Sequence, residues 1–157
     1  MAQSGTHRDE AGRLPSTEAA HGWEALTKGD FEALAQFRFG IRSYLRFSEE
    51  TVRRHGVTPQ QYQLMLALKG FPGRDWAVVR ELADRLQLRH HSVVELINRA
   101  QREGLVERCA DPEDRRAVRV RLTMQGEATL GRLSGLHRDQ LRRMNAVLAL
   151  PRWHPTD

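Results

Sequence analysis

The chain has 157 residues, 25 Lys and Arg against 20 Asp and Glu, a formal net charge of +5, and 39% hydrophobic residues. That length supports one domain with its own core, and the lone cysteine, Cys109, excludes an intramolecular disulfide framework or a cysteine-rich metal site. No apolar run approaches the ~20 residues of a membrane-spanning helix, and the N-terminal MAQSGTHRDEAGR lacks the apolar stretch of a secretory signal, so a cytoplasmic protein is expected.

Residues 1–29 mix Gly, Ser, Thr, Pro and charges without period and read as a loose arm. From Phe31 to about Arg54 the apolar residues Leu34, Phe37, Ile41, Tyr44 and Leu45 recur at helical spacing, predicting a long amphipathic helix that closes near Gly56. Thr58-Pro59-Gln60-Gln61 is a strong helix start. Thr58 can cap, Pro59 suits the first helical position, and Gln61 can complete a capping box. That second helix runs to Gly70. A third follows from Val79 to Leu86, a break at Gln87–His91, and a fourth on Val93, Leu96, Ile97 and Ala100 that stops at Gly104.

The period then changes to two. Leu105–Arg108 and Ala117–Leu122 read as strands joined by the polar loop Asp111-Pro112-Glu113-Asp114. A last helix begins at Thr123 and carries Leu130, Leu133, Leu136, Leu141, Met144 and Leu148; Pro151 and Pro155 discourage helix beyond it.

The charge is uneven. Residues 1–30 hold three basic and five acidic groups, and the remainder holds 22 basic and 15 acidic. Lys28 and Lys69 are the only lysines, so 23 basic residues are arginine. Arginine forks suit phosphates and base edges, although a GC-rich genome would produce the same bias with equal ease. No Gly-rich phosphate loop, nucleophile elbow or metal-ligand spacing appears, so no enzyme activity, cofactor or metal is expected.

Two short helices, a tight turn and then an arginine-rich hairpin describe a winged helix-turn-helix. The chain is therefore expected to be mainly helical with a small β-hairpin wing. Arg89, His90, His91, Ser92, Glu95, Asn98 and Arg99 supply donors, acceptors and cations on the outer face of the second short helix, and four of the seven residues from Arg115 to Arg121 are arginine. The competing reading of such a helix face is a merely solvated one; the adjoining hairpin counts further against it and favours DNA.

From Val79 to Leu130 the sequence resembles the MarR family (multiple antibiotic resistance regulators). LADRLQL and GLVER flank the reading helix, and the wing signature stands as Asp114-Arg115-Arg116, Val120, Leu122 and Thr123. The resemblance implies dimerisation helices over 30–56 and 123–150 around a winged helix-turn-helix over 57–122. It further implies a homodimeric repressor of palindromic operators, bound to double-stranded DNA and relieved by a small aromatic acid. Arg116 would enter the minor groove beside Arg115, with Asp114 as its ion-pair partner, while Arg89, His90, His91, Ser92 and Arg99 face bases and phosphates. Three departures stand out. Gln87 occupies a turn position where the family often has Gly, Arg89-His90-His91 replaces small polar residues, and Val94 and Glu95 replace a frequent Thr and Arg. Glu95 either accepts from a cytosine amino group or closes a capping box with Ser92 that starts the helix late.

Arg38, Arg42 and Arg46 recur every four residues near Tyr44 and Phe47. Arg42 and Arg46, with Tyr62, are the sequence's candidates for holding an effector carboxylate; the competing reading is a solvated stripe with an Arg46–Glu50 pair. Cys109 is either a small core residue or a thiol activated by Arg108, and His55 reads as a cation at a helix C-terminus. Besides the repressor, an effector-independent or architectural DNA-binding protein and a winged-helix protein-interaction module remain open.

Overall fold

The computed structural model describes residues 26–114, 116–145 and 148–151. Most of the 1–29 arm, together with Arg115, lies outside them. The order is α1 (Lys28–Arg54), α2 (Pro59–Lys69), β1 (Trp76–Ala77), α3 (Val79–Leu86), α4 (His90–Arg102), β2 (Val106–Ala110), β3 (Val118–Leu122) and α5 (Met124–Arg143).

Side-chain caps set most helix starts. Thr27 accepts from the Asp30 amide while the Asp30 carboxylate accepts from the Thr27 amide, so α1 begins three residues before the expected Phe31. The predicted box at α2 forms: Gln61 Oε1 accepts from the Thr58 amide at 2.9 Å and Thr58 Oγ1 from the Gln61 amide at 3.2 Å. Thr123 caps α5, which ends at Arg143 rather than running on to Leu148. Helix α4 begins at His90 with Arg89 as its N-cap, so the break is shorter than the sequence suggests and the Ser92–Glu95 capping box does not form. Gln87 itself takes the left-handed conformation that closes α3, with φ 54°.

The wing is a three-stranded antiparallel sheet in the order β1-β3-β2, with Trp76 opposite Arg121, and Val106 opposite Leu122. Strand β1 is an addition to the expected hairpin. The core beneath joins Leu64, Met65 and Leu68 of α2 to Leu82, Leu96, Ile97, Val120 and Leu133, all at most 1% exposed. At these depths each large aliphatic side chain contributes about 1.5–3 kcal/mol. Gly126 lets α5 pass against the wing's base, since a Cβ there would stand 2.0 Å from the Leu105 carbonyl oxygen. Lys69 pins the same corner, donating to Glu127 at 2.8 Å and Asp75 at 2.9 Å; those carboxylates push its pKa up to about 12.

By contrast α1 buries little. Only Asp30, Gly40, Thr51 and Val52 along it are buried, while Phe31, Phe39, Ile41 and Leu45 are exposed.

Candidate nucleic-acid interface

Helix α4 turns Val93, Leu96, Ile97 and Ala100 into the core, an i, i+3, i+4, i+7 stripe. The same rotation leaves His90, His91, Glu95 and Arg99 outside the core, and Ser92 half-buried beside them; Arg89, at the N-cap, is on the same side. The sequence's candidate readers on this helix therefore lie outside the core; Arg89, His90 and His91 stand at the N-terminal end, where free N–H groups favour anions, while Arg99 lies in the last turn. Arg116 is exposed on the turn between β2 and β3. Arg115 lies outside the described residues.

Two assignments change. Asp114 holds the wing turn by accepting the Arg116 backbone N–H at 2.9 Å, and among the described residues its carboxylate makes no ion pair with the Arg116 guanidinium. The buried acid of the loop is instead Asp111, whose Oδ2 accepts from Arg119 Nε at 2.6 Å while Oδ1 accepts the amides of Glu113 and Asp114. The Arg119 hydrogen bond, followed by the Glu113 amide, holds the Asp111 carboxyl below its ordinary range. Asn98 is only partly available, because Arg108 reaches across from β2 and donates to Asn98 Oδ1 at 2.7 Å and Gln101 Oε1 at 2.5 Å. That guanidinium thus engages α4 and not the neighbouring thiol; Cys109 Sγ sits 3.8 Å from the Arg119 carbonyl. His55 Nδ1 lies 2.8 Å from the Thr51 carbonyl at the end of α1.

A second site lies between α1, α2 and α5. A groove of about 560 Å³ is lined by Tyr44, Tyr62, Leu66, His137, Arg138 and Arg142, among others. His137, 2% exposed, stacks on Tyr62 with centroids 4.5 Å apart and meets the edges of Tyr44 and Phe47. Its Nδ1 is 2.6 Å from the Leu133 carbonyl, which can only accept, so Nδ1 carries the proton and Nε2 accepts from the Ser48 hydroxyl at 2.8 Å. Burial, then the adjacent Tyr62 phenol, raises the Tyr44 pKa. Of the sequence's effector candidates only Tyr62 reaches this groove. Arg42 and Arg46 do not line it, and Arg46 pairs with Glu50 on the exposed side of α1. The groove's cations come from α5, which sequence reading passed over.

Comparison with known proteins agrees with this architecture. The MarR family model matches residues 55–117. The homoprotocatechuate degradative operon repressor of Escherichia coli is 31% identical over 114 residues, 73% of each chain. The crystal structure of the MarR family transcription regulator SP03579 superposes with a TM-score of 0.63 at 27% identity, covering 76% of this chain and 77% of that one. A cysteine-to-serine mutant of MarR from E. coli, complexed with operator DNA, shares the fold with a TM-score of 0.58 at 20% identity, over 71% of this chain and 78% of that one. No helix among the described residues is long and apolar enough to cross a membrane. With its helix-turn-helix, its wing and its relatives all in agreement, the chain belongs to the MarR family of DNA-binding transcriptional regulators, which are not enzymes.

Proposed function

We propose that the chain is a homodimeric repressor of palindromic operators that releases DNA when a small aromatic acid fills the groove between α1, α2 and α5. Residues 57–122 read DNA, and the segments 30–56 and 123–150 pair the subunits. The observation that carries the reading is α4, a 13-residue helix with one face sealed in the core and a polar outward face, in a chain whose wing turn also exposes an arginine. In the major groove, Arg89, His90, His91, Ser92 and Arg99 meet phosphates and base edges, and Glu95 accepts from a cytosine amino group. Arg116, with Arg115, reaches the minor groove.

Dimerisation is supported by the apolar residues that a single copy leaves in water: Phe31, Phe39 and Leu45 on α1 and Leu136 and Leu141 on α5 are 38–56% exposed. Two copies would place reading helices on half-sites ~34–36 Å apart. The effector is supported by aromatic walls beside Arg138 and Arg142, and by a relative that represses an operon for degrading homoprotocatechuate, itself an aromatic acid.

The test is a gel shift over a salt series on the DNA upstream of the chain's own gene, with random DNA as competitor. Retention against competitor, two chains per palindrome and release by homoprotocatechuate are expected. Equal loss to random DNA would replace this reading with an architectural binder, and absence of binding at any salt with a protein-interaction module. Arg142→Ala should abolish release by the acid while leaving operator affinity intact.

A further inference from the structure

Trp76 is remote in sequence from the wing loop, yet the base of the wing rests on it. The Arg119 guanidinium carbon lies 3.6 Å from the Trp76 ring centroid, and that of Arg74 lies 4.0 Å from it. Arg119 also donates to Asp111, the carboxylate that gathers the Glu113 and Asp114 amides, and the Asp111 amide donates to the Ala117 carbonyl at 3.1 Å. One guanidinium thus fastens the loop that carries Arg116 to an indole on a different strand. The Arg119 and Asp111 side chains are 18% and 10% exposed, too enclosed for Arg119 to present its charge to a phosphate. The stack continues into the helix-turn-helix. Arg74 also covers Phe71 at 4.1 Å and pairs with Glu81 of α3, while Arg85 of α3 covers Phe71 at 4.2 Å. Wing and α3 are therefore mounted on one alternating series of rings and guanidinium groups.

A loop projecting from a two-stranded ribbon would otherwise swing about its root, and ordering it at the DNA surface would weaken binding. We propose that Arg119 and Trp76 are positioning residues for groove reading: they fix the angle at which the wing delivers Arg116, without touching DNA themselves. This rests on the DNA role of Arg116 given above.

The test compares operator affinity over a salt series for wild type, R116A, R119K, W76A, W76F and the R116A/R119K double variant, with thermal unfolding of each as a folding control. R119K keeps the charge but loses the planar face that stacks. R119K and W76A are expected to weaken binding about tenfold and to lower the salt slope by about one, as R116A does. W76F, which keeps a ring, should bind like wild type, and adding R119K to R116A should cost nothing further. Additive losses in the double variant would overturn the proposal, as would wild-type binding by R119K. If R116A binds like wild type, the wing reading fails and this inference falls with it. Should W76A not fold, R119K, W76F and the double variant decide the question.

Discussion

Replacing His137 with alanine should loosen the helical half of the molecule. The imidazole is 2% exposed and joins three helices: it stacks on Tyr62 of α2, accepts from Ser48 of α1 and donates to the Leu133 carbonyl of its own α5. Each hydrogen bond contributes about 1 kcal/mol and the stacked pair about another 1, so His137→Ala should cost about 3 kcal/mol. Ser48→Ala alone should cost about 1 kcal/mol. Because the Ser48 hydroxyl would already have lost its acceptor, adding Ser48→Ala to His137→Ala should cost almost nothing, giving a coupling of about 1 kcal/mol. Urea unfolding at fixed protein concentration measures all four corners of this cycle. Additive losses would show that the Nε2–Ser48 bond is not energetically formed. A His137→Ala cost below about 1 kcal/mol would refute the larger view that one ring ties the three helices.

Other outcomes follow from single positions. Gly126→Ala would drive a methyl into the Leu105 carbonyl and should cost about 3 kcal/mol or more, read as a fall in the unfolding midpoint; an unchanged midpoint would mean that α5 can shift freely. Gln87→Gly relieves a left-handed residue and should stabilise by about 1 kcal/mol, visible in the same assay. Asp111 has a folded pKa below its unfolded one. Its contribution to the wing is therefore fully present above the unfolded value near 4, and is lost as pH falls through the lower folded value. The indole resonance of Trp76, followed by NMR from pH 7 downwards, should stay fixed until below pH ~4; movement at pH 5 would contradict this.

The sequence was most legible where the determinants are local. The Thr58-Pro59-Gln61 start and the apolar stripe of α4 depend on neighbours within a few residues and appear as read. In β3 the expected alternation holds for Val120, Arg121 and Leu122 but not for Val118, which is exposed, or Arg119, which is enclosed. A two-residue strand such as Trp76–Ala77 has no period to detect; it exists because β3 offers it an edge. The wing signature drew attention to Asp114, but burial selects Asp111, and only the folded loop shows which acid meets a guanidinium. The groove was least legible. His137 and Ser48 are 89 positions apart; on α1 the solvated reading of the arginine stripe, with its Arg46–Glu50 pair, holds, and Tyr44 rather than Arg42 or Arg46 faces the groove.

The reach of Arg108 across to Asn98 and Gln101 bears on what kind of operator such a protein can have. In the proposed reading of DNA, with the oxygens of those two amides held by Arg108, the helix reads bases chiefly with its first two turns, and Arg99 in the last turn is left to a phosphate. The consensus in each half-site should accordingly be short, sharply conserved at one end and permissive at the other. Fidelity across a genome would then reside in the separation and bendability of two brief words, so the regulon can drift by small changes in spacing as readily as by changes of letter.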